Sequence, residues 1–353
     1  MTPIDFRSDT VTLPTEAMME AMRSAPLGDD GLDGDPTVRQ LESLAAAMMG
    51  KDEALFVVSG TMGNLVASLT HACQGGEVIA DAGAHIALSE AGGISRLAGL
   101  MCRSVPAYKG EMDLDIVESN LRSSHTRHGQ PTAMVVVESS HNHAGGVVPS
   151  LAYMQALQAL ARMGNTQVHL DGARLFNAAA SLCCDAKLIA SYADSLTFCL
   201  SKGLSAPMGS ILAGSSDFIA KARTYRRMVG GGLRQAGVVA AAGTVALQNM
   251  VGRLTDDHTT ATTLWSHLRN VCPDCVDPQP PATNIVCVDV RPLASRLSSS
   301  ACVERLASLG VLVRARDKNT LRFVTHRHIH ADHCRVAGVR FAELLHAERP
   351  LSE

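Results

Sequence analysis

Two short strings each place one ionisable residue directly after an apolar run. The first, Val-His-Leu-Asp-Gly-Ala-Arg, contains Asp171, and the second, Phe-Cys-Leu-Ser-Lys-Gly, contains Lys202. Residues at the carboxyl ends of parallel strands line the crevice where ligands bind. A partly desolvated lysine is a usable amine nucleophile, and an aspartate can keep a pyridine nitrogen protonated. The pair therefore predicts a pyridoxal-phosphate site with Lys202 in a Schiff base, although Asp171 alone could be a helix cap and Lys202 a solvated side chain.

A third motif, Ser-Gly-Thr-Met-Gly-Asn at residues 59–64, follows an apolar run and opens a helical pattern. Small residues such as Gly60, with Thr61 beside it, let backbone N–H groups approach a phosphate at a helix N-terminus. A glycine-rich turn alone is often only a tight turn. The motif lacks the lysine and the spacing of nucleotide-binding loops, so it favours a phosphate-bearing cofactor over a nucleotide.

The elements that must hold these motifs alternate along the first two-thirds of the chain. Six apolar runs are continuous rather than alternating, as expected of strands that are covered on both faces. Helical patterns, such as the one over residues 151–163, separate several of them. This order predicts an α/β fold with a mostly parallel sheet. The predicted strands lie at residues 54–58, 77–80, 133–138, 167–171, 195–200 and 210–213.

The pattern changes near residue 250, and a proline-rich connector is predicted over residues 271–283. Three strands and a helix follow, at residues 284–290, 310–314 and 320–324 and around 302–309. They predict a smaller α+β domain. The sequence thus predicts two domains: residues 1–250, with the N-terminal segment and the large cofactor-binding domain, and residues 251–353, the small C-terminal domain.

Composition excludes several partners. Among 353 residues, 46% are hydrophobic and the formal net charge is −3, which gives no electrostatic reason to expect nucleic acid or an anionic membrane. Asp5, Arg7 and Asp9 stand where a signal peptide needs an apolar run. Residues 235–252 predict a buried helix rather than a membrane span. The ten scattered cysteines favour reduced thiols and a cytoplasmic location.

Seven motifs occur in the order seen in L-threonine aldolases, and they extend from about residue 5 to residue 330. The chain resembles that family over nearly its whole length. The motifs are Phe-Arg-Ser-Asp-Thr-Val-Thr at residues 6–12, the turn at 59–64, His85 with Glu-Ala-Gly-Gly at 90–93, Asp-Gly-Ala-Arg at 171–174, Ser-Lys-Gly-Leu at 201–204, Gly-Gly-Gly-Leu-Arg-Gln-Ala-Gly at 230–237, and Arg-Phe-Val-Thr-His at 322–326.

The resemblance implies a fold-type I, aspartate-aminotransferase-like architecture, in which a homodimer or homotetramer shares its active sites. It also implies a role for each motif residue. Lys202 would form the Schiff base, Asp171 would pair with the pyridinium, His85 would stack on the ring, and Gly60, Thr61 and the neighbouring subunit's Arg234 would bind the phosphate. Ser8, Arg174 and Arg322 would surround the substrate carboxylate, with Arg174 also next to the cofactor, because the guanidinium fork matches a carboxylate.

The implied reaction is retro-aldol cleavage of a β-hydroxy amino acid to glycine and an aldehyde. A base must remove the β-hydroxyl proton, and His85 and His141 are the candidates. His141 is equally compatible with a loop histidine that fixes local hydrogen bonds. Aldolases of this type usually have Tyr and Glu where this chain has Leu32 and Gly34. The substitution predicts a roomier, more apolar pocket wall that favours β-aryl substrates such as phenylserine.

Two alternatives remain at this stage. A β-eliminating lyase or an aminotransferase would use the same aspartate and lysine. A metal-dependent hydrolase would instead use the histidine-rich stretch at residues 326–333, although no metal site is expected there because the stretch lacks a defined ligand spacing. The Cys-Pro-Asp-Cys string at residues 272–275 has redox-motif spacing, but it lies in the connector with no helix after it, so no reactive dithiol is expected.

Overall fold

The computed structural model describes residues 2–72, 75–125, 127, 129–293 and 297–346. The chain divides into two compact units. The larger unit is Leu13–Val251, and the other combines the first twelve residues with the chain from Gly252 onward. Within the described helices, none is both long and apolar enough to cross a membrane.

The strands of the described residues are numbered β1 to β14 in chain order. They are Ile4–Asp5, Glu53–Val57, Glu77–Asp81, Met101–Val105, Ala107–Tyr108, Glu111–Met112, Thr132–Glu138, Gln167–Asp171, Ser195–Cys199, Ser210–Gly214, Ile285–Asp289, Val311–Leu312, Arg314–Asp317 and Thr320–Val324.

The α-helices are numbered α1 to α14 in the same way. They are Glu16–Ser24, Pro36–Met49, Gly60–His71, His85–Leu88, Gly93–Arg96, Leu114–Asn120, Leu151–Met163, Leu175–Ser181, Ala186–Ala190, Ser216–Met228, Gly237–Asn249, Leu254–Val271, Ser299–Ser308 and Ala331–His346.

The larger unit is built on a seven-stranded sheet in the order β2-β10-β9-β8-β7-β3-β4. All neighbours pair in parallel except β10, which is antiparallel to both β2 and β9. Every residue of β7, β9 and β10 is buried, so helices cover both faces. The predicted α/β fold with a mostly parallel sheet is confirmed.

Side-chain caps fix the helices that border the carboxyl ends of these strands. Helix α3 begins after Ser59, whose hydroxyl accepts a hydrogen bond from Met62 N. Helix α2 begins after Asp35, whose carboxylate also accepts bonds from Gly28 N and Gly237 N. One buried aspartate therefore joins three segments of the larger unit.

Strand β4 was not predicted from the sequence. Its residues, Met-Cys-Arg-Ser-Val, include one buried side chain, Val105, because β4 lies at the edge of the sheet. Edge strands tolerate polar residues and show no continuous apolar run. The pattern that finds buried strands therefore misses this one.

The smaller unit contains a three-stranded antiparallel sheet, β11-β14-β13, and the parallel pair β1-β12. Its core includes Phe6, Leu264, Val288, Phe323 and Phe341, each fully or almost fully buried. The assignment of the N-terminal segment to the large domain was wrong. The first twelve residues belong to the smaller unit because β1 pairs with β12 and Phe6 enters this core.

The structure joins Cys272 and Cys275 in a disulfide, whereas the sequence analysis expected reduced thiols throughout. A three-residue helical turn, Pro273–Cys275, brings the two sulfurs together at the end of α12. Seven other described cysteines take part in no disulfide.

Candidate active site

Asp171 ends β8 and is almost completely buried, with 2% of its surface exposed. Its Oδ1 accepts a hydrogen bond from Ala173 N at 3.1 Å, and its Oδ2 accepts one from Asn64 Nδ2 at 2.8 Å. Both donors are uncharged. These two neutral donors therefore fix the carboxylate at the end of the strand, and neither of these contacts brings a positive charge to it.

His85 and Glu90 lie beside this carboxylate. His85 Nδ1 is 2.8 Å from Glu90 Oε1, and the same oxygen accepts a second bond from Asn64 Nδ2. Ligand atoms of His85, Glu90 and Asp171 all lie within 4.8 Å of one another. The hydrogen bond from His85 to Glu90 raises the pKa of His85, and burial raises the pKa of Glu90.

Lys202 follows β9, the strand that pairs in parallel with β8, and its side chain is half-buried. Asp171 lies opposite Thr197 in that pairing, so the two chain segments that carry Asp171 and Lys202 emerge at the same edge of the sheet. The charge of Lys202 lowers the pKa of His85, and the charge of Asp171 raises it. Lys202 and Asp171 therefore both lie close enough to His85 for their charges to change its pKa.

The glycine-rich turn forms the N-terminus of α3, a twelve-residue helix. Gly60 is tightly packed, since a Cβ there would lie 2.9 Å from Cys199 Sγ. The hydroxyls of Ser205 and Ser210 are buried and have no hydrogen-bond partner among the described residues, and Ser210 Oγ lies near Gly60. A helix N-terminus without room for a side chain, next to an unsatisfied buried hydroxyl, fits a phosphate group.

His141 is 1% exposed and both of its ring nitrogens are engaged. Nε2 lies 2.7 Å from Asp81 Oδ2, and Nδ1 accepts a hydrogen bond from Ala144 N. Burial opposes the charged ring, but the contact with Asp81 and the nearby charge of Glu138 outweigh it and raise the pKa of His141. The ion pair with Asp81 and the bond from Ala144 N hold the His141 ring in the loop after β7.

Glu138 ends β7 and links two loops of the site. Its Oε2 accepts a bond from His85 N at 2.7 Å, and its Oε1 accepts one from Asn142 N at 2.8 Å. Burial and the neighbouring Asp171 raise the pKa of this carboxyl. Arg174, 6% exposed, donates to Asn142 Oδ1 at 3.3 Å and so lies on the same rim.

The remaining predicted residues belong to other segments of the chain. Arg234 borders a basic pocket of about 290 Å³ that also includes Arg223, Arg226 and Arg227. Its side chain is 65% exposed and lies 3.5 Å from Asp29 Oδ1.

Ser8 and Arg322 belong to the smaller unit. Arg322 Nη2 donates to Arg7 O at 3.2 Å, and Ser8 Oγ accepts a bond from Thr10 N. This bond places Arg322 against Arg7, the residue before Ser8, although Arg322 and Ser8 are 314 positions apart in the chain (322 − 8 = 314).

The histidine-rich stretch is engaged in backbone contacts. His326 Nε2 donates to Asp5 O, and His326 Nδ1 accepts from His328 N. His333 Nδ1 accepts from His330 N. Among the described residues, the grouping of potential metal ligands is His85, Glu90 and Asp171 rather than this stretch.

The sequence analysis missed Asn64, Glu138 and Asp81 as site residues. Glu138 and Asp81 end the apolar strands β7 and β3, and this is the same signal that identified Asp171. Asn64 gives no such signal, because a polar residue inside a helix acquires its partners only in the tertiary fold.

The sequence profile of the family described as Beta-eliminating lyase matches residues 5–292. The chain belongs to this family. It is 40% identical to low-specificity L-threonine aldolase 1 of Arabidopsis thaliana, over 93% of this chain and 92% of the relative. It is also 40% identical to the low-specificity L-threonine aldolase of Escherichia coli, over 92% and 93%.

Solved structures share the fold seen here. The structure described as Leishmania major threonine aldolase superposes with a TM-score of 0.80 at 19% identity, and the match covers 98% of this chain and 99% of that one. The likeness extends over both units, so the predicted fold-type I architecture with a small C-terminal α+β unit is confirmed.

Proposed function

We propose that this chain is a pyridoxal-phosphate-dependent carbon–carbon lyase that cleaves L-β-hydroxy-α-amino acids, such as threonine and allo-threonine, to glycine and an aldehyde. The main support for this proposal is that Asp171 is buried at the end of β8, and that Lys202 follows β9, the parallel neighbour of β8. Relatives 40% identical over more than nine-tenths of the chain are named L-threonine aldolases. That similarity favours aldol cleavage over elimination or amino transfer.

The described residues fit the cofactor. Lys202 would supply the amine, Asp171 would hold the protonated ring nitrogen, and Gly60 and Thr61 would bind the phosphate at the N-terminus of α3. His85 would lie against the ring. When bound, pyridoxal phosphate supplies an electron sink, because its protonated ring accepts the electron pair of the broken Cα–Cβ bond.

His85 is the better candidate for the base that takes the β-hydroxyl proton. Its Nδ1 is engaged by Glu90, so Nε2 is the nitrogen that can exchange a proton, and a raised pKa makes it a stronger base. His141 is instead proposed as a positioning residue, because its Nε2 lies 2.7 Å from Asp81 Oδ2 and its Nδ1 accepts a bond from Ala144 N. Arg174, Ser8 and Arg322 would bind the substrate carboxylate.

The experiment is to purify the protein with pyridoxal phosphate, reduce it with borohydride and map the modified peptide. The reduced cofactor should be found on Lys202, and threonine should yield glycine and acetaldehyde in equal amounts. Lys202→Ala should remain folded and lose at least about three orders of magnitude in turnover. Pyruvate with ammonia would point to elimination, and a cofactor on Lys187 or Lys221 would overturn the assignment.

Arg234 supports an assembly with shared active sites, either a homodimer or a homotetramer, because its exposed guanidinium borders a pocket with three other arginines. Arg223 and Arg226 are paired with Glu42 and Asp30, whereas Arg234 is the most exposed of the three paired arginines and lies 3.5 Å from Asp29, so its guanidinium is the one best able to reach a phosphate of the neighbouring subunit. Mixing Lys202→Ala subunits with Arg234→Ala subunits should restore activity through one intact site per hybrid dimer. Hybrid dimers that form without activity would show that Arg234 acts within its own chain or away from the phosphate.

A cytoplasmic location is proposed as well. Seven described cysteines take part in no disulfide, which fits a reducing compartment, whereas the Cys272–Cys275 disulfide does not.

The substrate preference is proposed from the loop after α1. Leu32 is 80% exposed in the protomer and offers an apolar surface where related aldolases carry a tyrosine. Phenylserine should therefore have a higher kcat/KM than threonine, by about 1–3 kcal/mol in transition-state binding. Leu32→Tyr should narrow this gap. Restoring a glutamate at Gly34 is unsuitable as a test, because Gly34 has φ +88°, a backbone conformation that a residue with a Cβ rarely adopts. A wild-type preference for threonine would contradict the proposal.

A further inference from the structure

A stripe of polar side chains crosses the interface between helix α3 and strands β8 and β9. Asn64 and His71 lie two turns apart on the helix, and His169 and Ser195 face each other in neighbouring strands. His169 and Ser195 are fully buried, and Asn64 is 1% exposed. Burying polar groups at a helix–sheet interface costs free energy unless every group is hydrogen-bonded, and an apolar interface would avoid that cost.

These side chains form one continuous series of hydrogen bonds. His71 Nε2 lies 2.7 Å from Ser195 Oγ, and Ser195 Oγ lies 2.8 Å from His169 Nδ1. His169 Nε2 lies 3.2 Å from Asn64 Oδ1. Asn64 Nδ2 then donates to Asp171 Oδ2 at 2.8 Å. The series ends on the carboxylate proposed to hold the cofactor ring.

The Asp171 end of the series determines which atom is the donor in each hydrogen bond. Asn64 Nδ2 donates to Asp171 and to Glu90, so Asn64 Oδ1 must accept. His169 must then carry its proton on Nε2 and accept at Nδ1 from the Ser195 hydroxyl. The Ser195 oxygen in turn accepts from His71 Nε2–H. Each member donates toward Asp171, and the series requires a neutral His169, whose Nδ1 accepts while its Nε2–H donates.

We propose that His71, Ser195 and His169 form a relay that locks the Asn64 amide with its NH₂ group toward Asp171, so that His169 is a positioning residue for the cofactor-binding carboxylate. The inference rests on the proposed function, because it assigns the relay to the residue that would hold the cofactor. A fixed donor keeps Asp171 in one rotamer and holds its second oxygen ready for the ring nitrogen. Aligned dipoles along such a series strengthen its last hydrogen bond.

The electrostatic environment agrees with a neutral relay. Burial lowers the pKa of His71 to about 3 and the pKa of His169 to about 4, so neither ring is charged at neutral pH. His71 also stacks on Phe218, with ring centroids 4.6 Å apart, which holds its ring in place. At its outer end the relay reaches a cavity of about 750 Å³ that His71 borders with Thr132 and Gln167.

The same interface contains a matched control. Ser68 lies on α3 between Asn64 and His71, is fully buried, and donates to Asn64 O, a backbone carbonyl. Ser68→Ala therefore removes a hydroxyl that is as buried as the one of Ser195, but it leaves every bond of the relay intact. A difference between Ser195→Ala and Ser68→Ala isolates the relay from helix–sheet packing.

The first test reads the tautomer of His169 directly. In holoenzyme labelled with ¹⁵N at histidine, His169 should be neutral with its proton on Nε2 and Nδ1 as an acceptor. Its signals are identified by their loss in His169→Gln. A His169 that carries its proton on Nδ1, or that is charged at neutral pH, would overturn the relay, and this measurement does not depend on any variant keeping its activity.

The second test measures the equilibrium affinity of each protein for pyridoxal phosphate. His169→Leu removes the donor to Asn64 and should weaken binding about tenfold, and Ser195→Ala should weaken it about threefold. His169→Gln offers an amide N–H in place of Nε2–H and should recover most of the loss, and Ser68→Ala should stay within about twofold of wild type.

The outcomes separate the relay from the proposed function. Equal losses in His169→Gln and His169→Leu, or in Ser68→Ala and Ser195→Ala, would reduce the role of these residues to packing. In either case a wild type that binds pyridoxal phosphate leaves the proposed function standing. A wild type that does not bind it would instead refute the proposed function, whatever tautomer His169 shows.

Discussion

The two ends of the parallel strands both carry buried carboxylates, but the partners of those carboxylates differ. At the amino end, Glu77 begins β3 and its side chain is 1% exposed. It accepts hydrogen bonds from Arg103, Arg122 and Gln130. Two guanidinium groups therefore surround one carboxylate, and neither can be deprotonated in a protein.

At the carboxyl end, Asp171 and Glu138 accept bonds from an amide side chain and from backbone N–H groups. Neutral donors fix the position of a carboxylate without cancelling its charge. The charge then remains available to a ligand. The comparison teaches that a carboxylate next to a buried strand becomes structural or functional according to the charge of its donors.

Neutralising one carboxylate at each end of the sheet is the clearest test of this difference. Asp171→Asn removes the acid that keeps the cofactor ring protonated and should lower kcat by on the order of 10²–10³. Because its donors are neutral, the free energy of unfolding should change by less than about 1 kcal/mol. Both quantities are measured on the same preparation, with saturating cofactor for kcat. Unchanged turnover would mean that Asp171 is only a local cap.

Glu77→Gln should show the opposite result. It leaves two partly exposed arginines beside a neutral amide, and it should lower the free energy of unfolding by about 1–3 kcal/mol. Turnover per folded molecule should match wild type, since Glu77 lies at the other end of the sheet. Urea unfolding and active-site titration give the two numbers. A kcat loss equal to that of Asp171→Asn would show that the two ends are not functionally distinct.

The pH dependence of stability should sharpen the comparison. His169 and His71 have folded pKa values of about 4 and about 3, below the unfolded value near 6.5. Below pH 6.5 the unfolded chain therefore binds protons that the folded chain excludes, so these two rings lower stability as the pH falls toward about 4. The slope should be on the order of 1 kcal/mol per pH unit for each ring.

The matched measurement compares urea unfolding of wild type and His169→Gln between pH 7 and pH 5. Glu90 and Glu138, whose pKa values are raised, work in the opposite direction as they take up protons, so the difference between the two proteins isolates His169. The variant should lose part of the acid destabilisation. Identical slopes would mean that His169 is already charged in the folded protein.

Backbone strain provides the smallest expected effect. Asn165, near the amino end of β8, and Ser205, in the segment after Lys202, both have a positive φ, of 49° and 65°. Asparagine tolerates this region, whereas serine pays about 1 kcal/mol or more. Ser205 is also fully buried with an unpartnered hydroxyl. Ser205→Gly should therefore raise the free energy of unfolding of the cofactor-free protein by about 1 kcal/mol.

Ser205→Ala is the control for this prediction, because it removes the hydroxyl but keeps the strained φ. Its gain in stability should be smaller than that of Ser205→Gly. A loss of stability in Ser205→Gly would show that the hydroxyl has a favourable interaction in the folded chain.

The sequence predicted the parts of the site that local pattern determines. Asp171 and Lys202 follow continuous apolar runs, and such runs are visible without any tertiary information. β8 and β14 were predicted with the bounds that the structure has, because turns bound each strand and the apolar pattern extends over its whole length.

The rest depends on contacts between distant segments. Asn64 becomes a donor to Asp171 only when α3 packs on β8, 107 residues further along the chain. The same holds for His141, whose suitability as a base depends on whether Asp81 occupies its Nε2. β1 could not be predicted as a strand of the smaller unit, because two residues carry no periodicity and the partner strand β12 is remote in sequence.

The pairing of β1 with β12 also constrains how the chain can be made. Ile4 pairs with Val311, which is synthesised 307 residues later (311 − 4 = 307). The larger unit, Leu13–Val251, is complete before Val311 is synthesised. The residues of β1 therefore leave the ribosome before the larger unit does, but they reach their native partner after it. During that interval a chaperone would meet a finished sheet preceded by an unpaired segment that contains Phe6 and Ser8.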